Sequence, residues 1–185
     1  DLDQIIDNKQ VAGAVKECAE GDHLLSHSPK GHILFRADKV ETKVYFIKKG
    51  IVRAYTELAD NEITFWFGRE GDTVVSMKSY VSNQRGYENI ELLEECELYE
   101  VRKRALHELF CKDIHIANWG REFAEQELLK TEERFIGRQF KTSLERYRDL
   151  MNHTPDLLQR VQLGYIASYL GITQVSLSRI RAKFR

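Results

Sequence analysis

The chain has little of what marks secreted, membrane-bound or disordered proteins. Its 185 residues include two prolines and three cysteines, too few for a low-complexity segment or a disulfide-stapled domain. It contains no run of roughly 18 apolar residues, the length that a membrane helix needs. Asp1 to Gln10 lack the basic and apolar regions of a secretory signal. We therefore expect a cytoplasmic protein with no membrane partner.

Cysteine and histidine are equally uninformative about a cofactor. Cys18, Cys96 and Cys111 show no close metal-binding spacing, so we predict buried free thiols. Cys18 alone near the N-terminus cannot hold an iron–sulfur cluster. No histidine pattern indicates a haem ligand, because the six are scattered singly, at His23, His27, His32, His107, His115 and His153. The cofactor stays unknown.

The formal net charge of −1 conceals two halves of opposite sign. Residues 1–111 hold 15 basic and 20 acidic residues, whereas residues 112–185 hold 13 and 9. From Leu157 onward there are five basic residues and no acidic one. Uncompensated cations attract nucleic acids, so the C-terminal end is predicted to bind a polyanion.

Between residues 31 and 101 the chain breaks into short runs of β-branched and aromatic residues, separated by glycines. Ile63, Phe65 and Phe67 alternate with Thr64 and Trp66, as expected of a strand with one buried face. The predicted strands are 32–35, 43–48, 51–57, 62–68, 89–94 and 96–101. This spacing predicts a compact antiparallel β-barrel or jelly roll.

Residues 103–153 contain no proline and carry an apolar stripe at helical spacing, which predicts long helix. The stripe shifts sideways near its middle and comprises Ile116, Trp119, Phe123, Leu129, Ile136, Phe140, Leu144, Tyr147 and Met151. A helix of about 25 residues is about 40 Å long, more than a small barrel can cover. We expect part of it to pair with a second subunit, and packing wholly within the chain is the alternative.

The last 29 residues are too few to fold alone and must share core with the preceding helix, at Leu144, Tyr147 and Met151. Apolar residues at helical spacing predict two short helices, and Gly171 permits a sharp turn between them. Thr173 is a good cap for the second helix. The inward positions are Ile166, Ala167, Leu170, Ile172, Leu177 and Ile180, and the outward ones Gln174, Ser176, Ser178, Arg179 and Lys183. This predicts a helix-turn-helix rather than an amphipathic hairpin whose polar face contacts only water.

The same residues resemble a known family. The segments 166–173 and 177–181 are similar to the DNA-binding end of the cyclic-AMP receptor protein and Fnr superfamily, and 30–35 and 45–53 to the opening strands of its barrel. The resemblance implies an α+β fold: a sensor barrel of the cyclic-nucleotide-binding type at 1–111, a dimerisation helix at 112–140 and a helix-turn-helix at 141–185.

By resemblance, the function is that of a homodimeric regulator that binds promoter DNA and acts on RNA polymerase, without catalysis. Gln174, Val175 and Arg179 fall on base-reading positions, and Ser176 falls on a phosphate-contacting one. Val175 departs from the family pattern, where a polar or acidic residue is usual. The full predicted DNA-binding set is Thr173, Gln174, Val175, Ser176, Ser178, Arg179 and Lys183.

The predicted effector pocket lacks the two groups that hold a cyclic nucleotide in the family. An ungapped comparison puts Ser76 at the position of the ribose-binding Glu, Gly86 at that of the phosphate-binding Arg and Tyr87 at that of the following Ser. Arg85 lies one residue away and could serve only through a rearranged loop. We therefore expect an effector other than cyclic AMP, or none.

Two other classes of function stay open at this stage. An effector-binding module could signal through protein contacts, with the terminal helices as docking surface, although the carboxylate-free tail argues against it. An enzyme built on a cupin-like barrel would need His and Glu ligands at one barrel mouth, and the strand region contains only His32.

Overall fold

The computed structural model of the chain describes residues 25–59 and 61–184. Within these ranges the chain forms eight strands and seven helices. The first helix lies between the sixth and seventh strands, and the other six helices follow the last strand. The predictions about Asp1 to Gln10, Cys18, His23 and Arg185 lie outside the described residues.

The strands form two four-stranded antiparallel sheets, as the jelly-roll prediction requires. One sheet has the order β1-β8-β3-β6 and the other β2-β7-β4-β5. The bounds are β1 Leu25–Ser28, β2 Ile33–Phe35, β3 Lys43–Lys49, β4 Val52–Glu57, β5 Glu62–Gly68, β6 Thr73–Val74, β7 Asn89–Leu92 and β8 Cys96–Arg102.

Alternation along the strands sends one set of side chains between the sheets. Tyr45 and Ile47 of β3, Val52 and Ala54 of β4 and Leu98 of β8 belong to one buried apolar cluster. The six predicted strands are confirmed to within a few residues. β1 and β6 were not predicted, since β1 has no β-branched residue and β6 has only two residues.

The helices are α1 Met77–Ser82, α2 Lys103–Lys112, α3 Ile114–Phe140, α4 Ser143–His153, α5 Leu157–Arg160, α6 Leu163–Leu170 and α7 Gln174–Ala182. A long helix is therefore present in the 27 residues of α3. The predicted helix of about 25 residues is thus found in α3, and two breaks interrupt the helical stretch from 103 to 153. Asp113 accepts hydrogen bonds from the backbone N–H groups of His115 and Ile116, which starts α3 afresh.

The second break lies between α3 and α4, at Lys141 and Thr142. The Thr142 side chain accepts a hydrogen bond from the backbone of Glu145, and the Glu145 carboxylate accepts one from the backbone of Thr142. This capping box stabilises a new helix start.

The helix α3 has two apolar faces. Ile116 and Trp119 pack with β3 residue Phe46 on the barrel. On another face Leu128 and Phe135 are 62% and 64% exposed. Among residues 25–59 and 61–184, the barrel covers one face of α3 and nothing covers its second apolar face.

The C-terminal helices share a core with the barrel as well as with α4. Tyr147 and Leu150 of α4 pack with α6 and α7, and Met151 packs against the same cluster. Ile51, Phe67 and Leu93 of the barrel also belong to it. The sharing with α4 was predicted, whereas the barrel contribution was not.

The two described cysteines differ in environment. Cys96 is buried in the barrel core, as predicted, but Cys111 is exposed near the end of α2, which contradicts the prediction for that residue. In the part of the chain that the structure describes, no helix is long and apolar enough to cross a membrane.

Candidate nucleic-acid interface

The helices α6 and α7 are joined by a turn whose backbone is set by glycine. Gly171 has φ +67°, a conformation that costs glycine little. The Gly171 N–H donates a hydrogen bond to the Ser168 carbonyl, and the Ile172 N–H donates one to the Ala167 carbonyl. Each donor–acceptor distance is 3.0 Å. These bonds close the C-terminus of α6. The predicted role of Gly171 is thereby confirmed.

The start of α7 is fixed by a side-chain cap, as predicted. Thr173 Oγ1 accepts a hydrogen bond from the Ser176 backbone N–H at 3.2 Å. Ala167 of α6 and Leu177 of α7 are buried where the two helices meet. The small side chain of Ala167 permits this close approach. One end of α7 and its inward face are therefore held rigidly.

The remaining face of α7 points to solvent. Val175 is 61% exposed. Of the residues predicted to contact DNA, six are exposed and Ser176 is half-buried, the six being Thr173, Gln174, Val175, Ser178, Arg179 and Lys183. The structure thus brings the predicted set together on one surface. Whether each residue contacts a base or a phosphate stays a prediction.

Not every cation of the tail belongs to this surface. Arg160 forms ion pairs with Glu70 and Glu94 of the barrel, so its charge is compensated. Arg179 and Lys183 are exposed on or beside α7. Arg181 is half-buried. The positive charge available to a polyanion is therefore smaller than the count along the sequence indicated.

A second surface of α6 contacts the barrel, a contact that no sequence pattern predicted. Tyr165 covers the guanidinium of Arg53, whose Cζ lies 3.8 Å from the ring centroid. Ser168 Oγ accepts a hydrogen bond from the Thr64 backbone N–H and donates one to the Glu62 carbonyl, each with a donor–acceptor distance of 2.9 Å. The first helix of the pair is therefore attached to strand β5.

Arg53 is the most deeply buried charge in this contact, at 2% exposure. Its Nη1 donates a hydrogen bond to the Glu62 carboxylate and its Nη2 donates one to the Glu91 carboxylate, each with a donor–acceptor distance of 2.8 Å. Burial opposes the charge, but the hydrogen bonds with Glu91 and Glu62 outweigh it, so the pKa of Arg53 is raised above its ordinary value. The guanidinium stays charged at this junction.

The predicted effector residues lie around α1. Ser76 is buried, whereas Arg85 and Tyr87 are exposed. A Cβ on Gly86 would lie 2.7 Å from Ser76 Oγ and 2.9 Å from Glu88 Oε1. Even the methyl group of an alanine would be crowded at Gly86. The position at which the family has its phosphate-binding arginine therefore has no room for an arginine side chain.

Glu88, which no sequence pattern singled out, is buried beside Gly86. Its Oε2 accepts a hydrogen bond from the Tyr87 N–H, and its Oε1 has no hydrogen-bond partner among the described residues. A carboxylate here would repel a phosphate. Within the described ranges, no group of three His, Cys, Asp or Glu side chains could hold a metal ion.

The comparisons with known proteins agree with this architecture. Residues 25–113, which comprise the barrel with α1 and α2, match the family model of the cyclic nucleotide-binding domain. Among curated proteins, none matches this chain by sequence.

Solved structures extend the similarity to the C-terminal helices. FixK2 from Bradyrhizobium japonicum is 20% identical with a TM-score of 0.71, covering 87% of this chain and 82% of that one. A protein of Eubacterium rectale assigned to the Crp/Fnr family of transcriptional regulators is 17% identical with a TM-score of 0.73, covering 92% and 82%.

The c-di-GMP-responsive global regulator CLP of Xanthomonas campestris is 18% identical, with a TM-score of 0.70 and coverage of 93% and 91%. These TM-scores establish a common fold. The chain therefore has the overall fold of the Crp/Fnr-family transcription regulators, and its barrel is similar to the cyclic nucleotide-binding domain.

Proposed function

We propose that this protein is a homodimeric, sequence-specific DNA-binding transcription regulator without catalytic activity. The observation that carries the proposal is the exposed face of α7, which presents amide, hydroxyl and cationic groups and no carboxylate. Residues 1–111 form its sensor part, 112–140 its dimerisation helix and 141–185 its helix-turn-helix.

Each group on α7 suits a particular part of a DNA duplex. The Arg179 guanidinium can donate two hydrogen bonds to guanine, and the Gln174 amide can pair with adenine. Val175 can contact the methyl group of a thymine. Thr173, Ser176 and Ser178 carry hydroxyls for phosphates, and Lys183 adds a charge. The helix α7 is then the recognition helix, lying in the major groove.

The second copy of this chain is the partner that the uncovered face of α3 fits. Leu128 and Phe135 are two helical turns apart on the same face, and both are exposed. Pairing two such faces buries them around a two-fold axis. The two recognition helices then enter successive major grooves, about 34 Å apart, on a palindromic site.

The effector in this proposal is a small molecule other than cyclic AMP, or the protein has none. Support comes from the crowding at Gly86 and the buried carboxylate of Glu88. A rearranged pocket that uses Arg85 is the second candidate, since that side chain is exposed and near the same loop. RNA polymerase is the expected partner on the promoter.

A selection from random duplexes tests the proposal directly. We expect the full chain to enrich a palindrome, and log Kd for that palindrome to rise linearly with log salt. Lys183→Ala removes one phosphate-contacting cation from each protomer and should reduce the salt slope by about 2 in the dimer. Arg104→Ala removes one cation from α2 as the matched control.

The alternative function is a signalling module that uses α6 and α7 to dock another protein. It would be favoured if the chain bound no duplex even at low ionic strength. In that case the face of α7 would not be a nucleic-acid interface, and the proposal would be wrong.

A further inference from the structure

The side chain of Arg53 joins the sensor barrel to the DNA-binding helices. Building on the proposed function, we propose that Arg53 is a positioning residue for DNA recognition: it fixes α6, and through α6 the recognition helix, against the barrel. Arg53 touches no DNA-facing residue, so this role is separate from base reading.

The barrel holds the guanidinium in one orientation. Glu62 of β5 and Glu91 of β7 flank β4, and each accepts a hydrogen bond from a different terminal nitrogen of Arg53 over 2.8 Å. Tyr55 of the same sheet covers one side of the guanidinium, with its ring centroid 4.0 Å from Cζ. Two charge-assisted bonds in one plane leave little rotational freedom.

The helix α6 is attached to the barrel at two points, one of them over this guanidinium. Tyr165 stacks on the guanidinium, and Ser168 bonds to the backbone of β5 at Thr64 and Glu62. Since these residues are three apart, they lie on one face of α6, one turn from each other. Two attachments one turn apart fix both the rotation of α6 and its position along β5.

The orientation of α6 determines that of the recognition helix. Ala167 and Leu177 pack α6 and α7 in one core, and the turn at Gly171 is hydrogen-bonded. In a dimer joined along α3, the placement of α6 on each barrel therefore sets the separation of the two recognition helices. That separation selects the spacer between the half-sites.

Loss of Arg53 would remove one of the two attachments and leave two carboxylates facing each other. The Ser168 hydrogen bonds and the apolar core shared with the barrel would remain, so the docked state becomes less populated. Glu62 and Glu91 would then repel at the junction, and Tyr165 would lose its cationic partner. Undocked helices still fold around the core shared with α4. DNA binding should then lose its spacer preference but keep its base preference.

The test compares Arg53→Met with Lys48→Met in the full chain. Lys48 pairs with Glu97 on the other sheet, so its loss removes an ion pair without touching α6. Affinity is measured for palindromes with a series of spacer lengths. If the fraction of dimers with both α6 helices docked falls to about a tenth, apparent affinity for the preferred spacer falls about tenfold, and Lys48→Met stays at the wild-type value.

A distance measurement reports docking without DNA. Spin labels at Lys39→Cys on the barrel and Asn152→Cys on α4 are placed in a background of Cys18→Ser and Cys111→Ser. The labelled chain is mixed with an excess of unlabelled chain, so that a dimer carries one labelled protomer. We then expect one narrow distance for wild type and a broadened distribution for Arg53→Met. Restoring the narrow distance by adding Glu62→Gln and Glu91→Gln would show that carboxylate repulsion causes the undocking.

The outcomes separate the two proposals. If wild type binds no duplex, the proposed function fails, while the distance still reports what Arg53 does. If Arg53→Met keeps the wild-type distance and spacer preference, the positioning role is overturned. Should Arg53→Met not fold, Tyr165→Ala against Tyr165→Phe makes the same comparison from α6, because the ring rather than the hydroxyl covers Arg53.

Discussion

The guanidinium of Arg160 donates a hydrogen bond to the Glu70 carboxylate at a distance of 2.6 Å. This bond connects α5 to the turn that precedes β6. The same guanidinium also pairs with Glu94. The hydrogen bond from Arg160, helped by one from the Gly50 backbone N–H, lowers the pKa of Glu70 from 4.5 to about 2. A second charged contact thus joins the C-terminal helices to the barrel.

The first prediction concerns acid stability. Because the Glu70 pKa is lower in the folded chain, its contribution is complete above pH 4.5 and is lost as pH falls to about 2. We expect the melting temperature of Glu70→Gln to fall less steeply than that of wild type in this window. Glu108→Gln, which breaks a pair within α2, is the control. Parallel curves for Glu70→Gln and wild type would contradict this assignment.

The second prediction concerns base recognition. Replacing Arg179 by Ala should cost about 1–3 kcal/mol of specific binding and relax the preference at one base position. Arg104→Ala removes an exposed cation from α2 and should leave affinity unchanged. Titration against the selected palindrome and its single-base variants provides the measurement. If affinity and sequence preference both survive, Arg179 is not a base-reading residue.

The third prediction concerns the apolar face of α3. Phe135→Glu places a charge in the proposed dimer seam, and an uncompensated buried charge costs about 3–5 kcal/mol. The dimer dissociation constant should therefore rise by more than about a hundredfold. Analytical ultracentrifugation measures it, with Gln126→Glu as the control on the flank of the helix. A Phe135→Glu protein that still dimerises like wild type would rule out this face as the seam.

The fourth prediction concerns the sensor pocket. Cyclic AMP at micromolar concentration should leave the melting temperature unchanged, since a ligand raises it only by binding the folded state. Ser76 and Glu88 crowd the place of the missing arginine at Gly86. A clear rise would refute this, and its loss in Arg85→Ala would identify the rearranged pocket instead.

The fifth prediction concerns the two described thiols. Burial raises the pKa of the Cys96 thiol to about 11, and the side chain lies in the barrel core. Cys111 is exposed. Iodoacetamide at pH 8 should therefore alkylate Cys111 in the native protein and leave Cys96 intact, as peptide mass mapping would show. Equal modification of both thiols under native conditions would mean that the barrel opens readily.

Local sequence rules accounted for the parts of the structure that depend on near neighbours. The glycine turn at 171, the Thr173 cap and the inward positions of α6 and α7 all follow from residues a few positions apart. The helix breaks carried local signals as well, in Asp113 and in the Thr142 and Glu145 pair, and a search for capping residues would have found them.

The junction between barrel and helices could not be predicted in this way. Arg53 meets Tyr165 only after both sheets and α6 have formed, and nothing near Arg53 in the sequence indicates a partner so far along the chain. The same holds for Glu88, whose burial depends on α1 and the loop around it. Periodicity shows which face of an element is apolar, but it does not show which polar residue that face will enclose.

The two faces of α6 and the open face of α7 differ in how freely they can change over evolution. A substitution at Ala167 or Tyr165 disturbs packing that holds the molecule together, whereas one at Val175 alters only what the surface presents. Under the proposed function, descendants of this protein could therefore acquire new target sequences through a few changes in α7 while inheriting the same scaffold.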